Sequence, residues 1–145
     1  MKTNTIKVHP IDVAQELLLP CMGKVNAGFT SPARDYIAET VDLNKLLIRH
    51  PSSSFVWIAD GECLNGSGIT DKDILIVDRL IEPKEGDIAV CYLDGEWTVK
   101  KLHVENDTLF LMPDNDEFTP IKVTEENSFL IFGIVTSSIK THRRV

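Results

Sequence analysis

Ile88-Ala89-Val90-Cys91-Tyr92-Leu93-Asp94-Gly95-Glu96-Trp97-Thr98-Val99-Lys100 contains two strand-like runs joined by an Asp-Gly pair. Asp-Gly between apolar and β-branched runs predicts a tight hairpin, because both central turn positions need positive φ. The strands predicted are 88–93 and 97–104. Asn106-Asp107 predicts another tight turn, after which 108–112 returns as a strand. Upstream, Ser54-Phe55-Val56-Trp57-Ile58-Ala59 predicts a strand feeding a turn over 60–68. Ile74-Leu75-Ile76-Val77 is continuously apolar, as expected of a strand that crosses a core. Downstream, 129–139 predicts a closing strand with a bend at Gly133. The expectation is a mainly β fold with at least six strands.

One short helix is expected over 42–49, with Asp42 as N-cap, Leu43, Leu46 and Leu47 on one face, and Pro51 as its stop. Residues 1–40 read as an extended N-terminal arm. Pro20, Gly23, Gly28 and Ser31-Pro32 interrupt the weak helical pattern of 11–19. The predicted organisation is this arm followed by a single β domain over 41–145.

A chain of 145 residues suits one domain, and a 43% apolar fraction is enough for a core. The net charge of −7 argues against a broad DNA-binding face, and the basic stretch 140–144 is expected to be a solvated tail. Cys21, Cys63 and Cys91 form no CxxC pair, which favours free thiols in a reducing compartment. Histidines stand singly at 9, 50, 103 and 142, so no metal is expected. With no membrane-length apolar run and no apolar stretch of signal type, a cytoplasmic location is expected. No G-x-G-x-x-G or P-loop motif supports nucleotide chemistry, and no organic cofactor is expected. Asp71, Asp73 and Asp78 are expected along a solvated edge, and Cys91 in the core.

Two positions carry candidate chemistry. Cys63 lies in the Gly-rich turn Asp60-Gly61-Glu62-Cys63-Leu64-Asn65-Gly66, and Lys100 ends the run Glu96-Trp97-Thr98-Val99-Lys100. A lysine acts as a general base only when neutral, which asks for burial strong enough to bring a pKa of about 10.4 toward 7–8. Trp97, Val99 and Leu102 are the expected apolar wall. The bland alternative is a lysine that snorkels to water and a cysteine that fills space. Gly61, Gly66 and Gly68 either present backbone N–H groups to a substrate or only shape a loop.

Longer motifs favour the first alternative. They include Gly28-Phe29-Thr30-Ser31-Pro32-Ala33-Arg34-Asp35-Tyr36, Gly68-Ile69-Thr70-Asp71-Lys72-Asp73, Asp94-Gly95-Glu96-Trp97-Thr98-Val99-Lys100-Lys101-Leu102 and Phe132-Gly133-Ile134-Val135. From about residue 28 to 140 the chain resembles the self-cleaving peptidases of LexA and UmuD type. The resemblance implies a LexA/signal-peptidase-like β domain and a Ser–Lys dyad that cuts the protein's own arm. It also implies stimulation by a RecA filament on single-stranded DNA. The truncated homodimer would serve a Y-family DNA polymerase in error-prone synthesis past lesions, with no sequence-specific DNA contact of its own. Repressors of the family carry a helix-turn-helix domain, for which the residues before Ala27-Gly28 are too few.

Carried over residue by residue, the family lysine falls on Lys100, the scissile bond on Ala27-Gly28, and the nucleophile on Cys63. The N–H groups of Cys63 and Gly61 would hold the oxyanion. Cysteine in place of serine is a departure from the family pattern. A thiol is the better nucleophile, but a thiolate paired with a charged lysine would remove the base. Two functions therefore stand: self-cleavage through Cys63, or a non-cleaving polymerase-binding adaptor.

Overall fold

The computed structural model describes residues 8–11, 15–21, 28, 39–61, 64–114, 117 and 119–143. In chain order they form β1 (Val8–Pro10), β2 (Leu18–Cys21), β3 (Glu39–Asp42), α1 (Leu43–Leu47), β4 (Ser54–Ile58) and β5 (Ile74–Asp78). There follow β6 (Ile88–Leu93), β7 (Glu96–Glu105), β8 (Thr108–Met112), β9 (Ile121–Lys122) and β10 (Phe129–Ile139). The described fold is mainly β with one short helix, as the sequence pattern predicts. The chain divides into two units, Met1–Ile11 with His50–Val145, and Asp12–Arg49.

In the smaller unit β2 and β3 pair antiparallel, Leu18 opposite Asp42. Asp42 caps α1 as expected: its Oδ1 accepts from Asn44 N at 3.0 Å and from Leu17 N at 3.2 Å. The helix stops at Leu47, earlier than the sequence pattern predicts, with Ile48 N donating to Asn44 O. Pro51 instead opens a separate 3-10 turn. Leu43 and Leu47 are half-buried, but Leu46 is exposed, so the predicted single apolar face is incomplete.

The larger unit holds an eight-stranded antiparallel sheet in the order β1-β4-β5-β10-β6-β7-β8-β9. Both predicted tight turns have the expected backbone, with positive φ at Asp94 and Gly95 and again at Asn106 and Asp107. β10 runs between β5 and β6 and joins the two halves of the sheet. It carries an extra residue at Phe132 and another at Thr136, which shift its register against β6 and β5 respectively. Such bulges bend a long strand, and the first adjoins the predicted bend at Gly133. There a Cβ would lie 2.8 Å from Val77 Cγ1 and 3.0 Å from Asp78 O, so β5 approaches too closely for any side chain.

Alternation along the strands separates two apolar clusters. The first contains Trp57, Leu64, Leu75, Val77, Val90 and Val99, the second Ala89, Cys91, Leu102, Leu111 and Ile134. Cys91 is fully buried, as expected, and burial pushes its thiol up to about 12.

Two acidic residues expected at a solvated edge are instead buried. Asp73 is 3% exposed and bonds to Lys140 Nζ at 2.7 and 2.8 Å. Burial opposes its charge, but hydrogen bonds from Lys140 and Thr70 outweigh that and hold the carboxyl below the ordinary range. Asp78 is likewise buried and accepts from Leu80 N at 2.9 Å, with His50 Nδ1 at 2.6 Å from its Oδ2. Asp71 alone of the three is exposed. Lys140 is therefore an anchor for a buried carboxylate, which corrects its expected place in a solvated tail.

Candidate active site

The candidate nucleophile turn leaves β4 and returns to β5. Its mouth is closed by Ala59 N donating to Asp73 O at 2.9 Å and Lys72 N donating to Ala59 O at 2.7 Å. Gly61, at φ +102°, is exposed, and its N–H donates to Asp71 Oδ1 at 3.0 Å. Three residues on, Leu64 is 2% exposed in the first cluster. Its carbonyl accepts from Ser67 N at 3.0 Å and Ile69 N at 3.2 Å, and Asn65 O accepts from Gly68 N at 3.0 Å. A buried leucine thus anchors a one-turn 3-10 segment, Asn65–Ser67, on which Gly68 supplies the left-handed C-cap. Cys63, Glu62 and Ala27 lie outside the described residues. Gly28 is a turn residue at φ +82° with open space where a side chain would stand.

Lys100 lies within β7 opposite Ala89 and is 8% exposed, well away from the snorkelling alternative. The expected wall is only partly realised. Leu102 and the cross-strand Ala89 share the second cluster and the face of Lys100. Trp97 and Val99 belong to the first cluster, on the opposite face, because side chains alternate along an unbroken ladder.

Lys101, next in sequence, projects to the other face, opposite Ile88 and Met112. Its Nζ lies 3.2 Å from Asp114 Oδ2. Asp114 also accepts from Ser67 Oγ and, through its backbone O, from Gly66 N at 2.9 Å. Hydrogen bonds from Ser67 and Lys101 hold its carboxyl below the usual carboxylate range. The sequence patterns do not single out Asp114, because no local motif links it to a turn almost fifty residues earlier.

Among the described residues no group of three or more His, Cys, Asp or Glu could hold a metal, and no helix is long and apolar enough to cross a membrane. The chemistry on offer is that of a buried amine, a pinned turn and backbone donors.

Residues 20–136 match the Peptidase S24-like family. Protein ImpA of Salmonella typhimurium is 37% identical over 123 residues, covering 84% of this chain and 83% of that protein. Protein SamA of Salmonella typhimurium is 39% identical over 117 residues, 81% of each chain. The LexA repressor of Bordetella parapertussis is 32% identical over 133 residues, covering 92% of this chain and 60% of the repressor.

Proposed function

Because this chain belongs to the Peptidase S24-like family, the self-cleaving peptidases of LexA and UmuD type, we propose that it cuts its own Ala27-Gly28 bond. The truncated homodimer then serves as accessory subunit of a Y-family translesion DNA polymerase in the SOS response. The observation that carries the reading is the burial of Lys100 in mid-strand, since lysine is rarely buried without a task.

Cys63 Sγ attacks the carbonyl carbon of Ala27, and Lys100 Nζ takes the thiol proton. Collapse of the tetrahedral intermediate breaks the C–N bond, and Lys100 returns the proton to the leaving amine of Gly28. Water then hydrolyses the Ala27 thioester, freeing the Ala27 carboxylate and restoring the thiol. The N–H of Cys63 supplies one oxyanion donor. Gly61 serves as the second only after its N–H leaves Asp71 Oδ1, to which it donates in the structure. For cleavage, residues near 25–29 have to lie extended against a sheet edge, where backbone bonds fix the scissile peptide, so Gly28 must leave the turn conformation, φ +82°, that it has in the structure. A RecA filament on single-stranded DNA stimulates the step.

The test is incubation of the purified chain at alkaline pH, and separately with an activated RecA filament. Mass spectrometry should find a fragment beginning at Gly28, absent in Cys63→Ala and Lys100→Met. A folded chain that stays intact under both conditions would favour the non-cleaving adaptor.

A further inference from the structure

One residue, Asp114, gathers three bonds at the turn after Cys63, two through its carboxylate and one through its backbone carbonyl, and the cleavage chemistry makes no use of it. Asp114 reaches three groups: Ser67 Oγ and Lys101 Nζ through its Oδ2, and Gly66 N through its backbone O. The approach to Gly66 leaves no space for a side chain, since a Cβ there would lie 2.7 Å from Asp114 O. Two of the three groups belong to the turn and the third to β7, the strand that carries Lys100. Asp114 is therefore a cross-link between the two segments that a nucleophile–lysine dyad must hold in register.

We propose that Asp114 is a positioning residue that fastens the turn 64–68 to Lys101 and so sets where the preceding Cys63 stands relative to β7. Its effect on cleavage rests on the proposed dyad, whereas the brace itself stands on the contacts above. Lys101 shares the face of the first cluster, in which Leu64 is buried, so the brace pulls on the turn from the side where that leucine is anchored. A carboxylate suits this place because it accepts from a hydroxyl and an ammonium together, and charge-assisted bonds are the stronger kind. Displacing reacting atoms by about 1 Å costs roughly a hundredfold in rate.

The experiment uses the full chain with Cys21→Ser, so that exposed Cys21 does not compete for reagent. Asp114→Ala, Ser67→Ala, Lys101→Met and Lys101→Arg are compared in three measurements: self-cleavage, iodoacetamide alkylation of Cys63, and amide exchange at Gly66. Asp114→Ala should slow cleavage by about ten- to a hundredfold. The carbonyl that accepts from Gly66 N survives this substitution, so faster Gly66 exchange, expected at more than about tenfold, reports the unbraced turn parting from it, and Cys63 alkylation should fall toward that of an ordinary cysteine. A generally loosened fold would raise alkylation instead. Lys101→Arg should restore cleavage that Lys101→Met loses. If Asp114→Ala does not fold, Ser67→Ala and Lys101→Met carry the same comparison. Unchanged cleavage and alkylation in the folded variants, or equal loss in Lys101→Met and Lys101→Arg, would overturn the assignment. A parent chain that never cleaves would overturn the dyad, and Gly66 exchange would still decide whether Asp114 holds the turn.

Discussion

Leu64→Ala separates what anchors the nucleophile turn from what performs the chemistry. Leu64 is almost wholly enclosed in the cluster that contains Trp57, Ile69, Leu75 and Val77. Truncation removes its isopropyl group from a packed interior and leaves a cavity, at a cost of about 2–5 kcal/mol. In a protein of this size each kcal/mol moves Tm by about 2–4 °C, so the expected fall is about 4–20 °C. A domain of ordinary stability, about 5–15 kcal/mol, stays largely folded at 25 °C after such a loss except where the largest loss meets the lowest stability, and urea titration gives the unfolded fraction directly. Self-cleavage at 25 °C should nevertheless drop by more than the unfolded fraction explains, because the turn loses its anchor one residue from Cys63. Leu64→Met keeps the volume and should cost less than about 1.5 kcal/mol. Circular dichroism melting, urea titration and timed mass spectrometry give the three readings. A Leu64→Ala protein that melts within about 2 °C of the parent, or whose cleavage loss matches its unfolded fraction, would refute the anchoring argument.

Gly133→Ala should destabilise by about 1–3 kcal/mol, because its methyl meets Val77 Cγ1 and the Asp78 carbonyl in β5. An unchanged urea midpoint would show that the two strands can part without cost. The clip between Glu85 and β7 should depend on pH at both ends. Glu85 accepts from Val104 N at 2.8 Å, and its other oxygen lies 2.6 Å from His103 Nδ1. The hydrogen bond to Glu85 raises the His103 pKa, and its counterpart from His103, with that from Val104, lowers that of Glu85. The histidine contribution is fully present below the unfolded imidazole pKa and fades as pH rises through the higher folded value. The carboxylate contribution is present above the unfolded carboxyl pKa and fades as pH falls through the lower folded one. The clip is therefore tightest between about pH 4.3 and 6.5. Ring-proton NMR should place the His103 midpoint above the ordinary imidazole value in the parent and lower it in Glu85→Gln, though Glu105, 3.5 Å from Nε2, still favours the charged ring; a midpoint at or below the ordinary value in the parent would refute the clip.

The parts of the fold legible in the sequence are those that local chemistry decides. Asp94-Gly95 and Asn106-Asp107 adopt positive φ, and the apolar run of β5 is buried from Leu75 to Val77, with Ile74 half-buried. Strands β1, β2, β3 and β9 escape sequence reading because each is two to four residues long and exists only through its partner. Proline in β1 and β2 lowers any strand signal further, although an edge strand tolerates it. Asp73 and Asp78 sit among apolar residues in a pattern that also fits a half-exposed strand. Their partners Lys140 and His50 are far off in sequence, so burial with compensation could not be read locally. The divided wall around Lys100 is a different case. A period of two already separates positions 97 and 99 from 100 and 102.

That same period explains why Lys100 and Lys101 are not interchangeable. On an unbroken ladder, consecutive residues must face opposite sides, whatever their chemistry. Lys100 enters the side that holds Ala89 and Leu102, whereas Lys101 stays half-exposed and bonds to Asp114 on the side of Leu64. One lysine is thus placed for burial and its neighbour for bracing, by geometry alone. Slipping β7 by one residue against β6 would exchange them, placing the Asp114 partner inside and the buried amine at the surface. The hairpin turn at Asp94-Gly95 prevents that slip, because its two positive-φ residues fix Leu93 opposite Glu96 and so every pair down to Ile88 opposite Lys101. The turn that most clearly announces the fold in the sequence therefore also decides which lysine is buried.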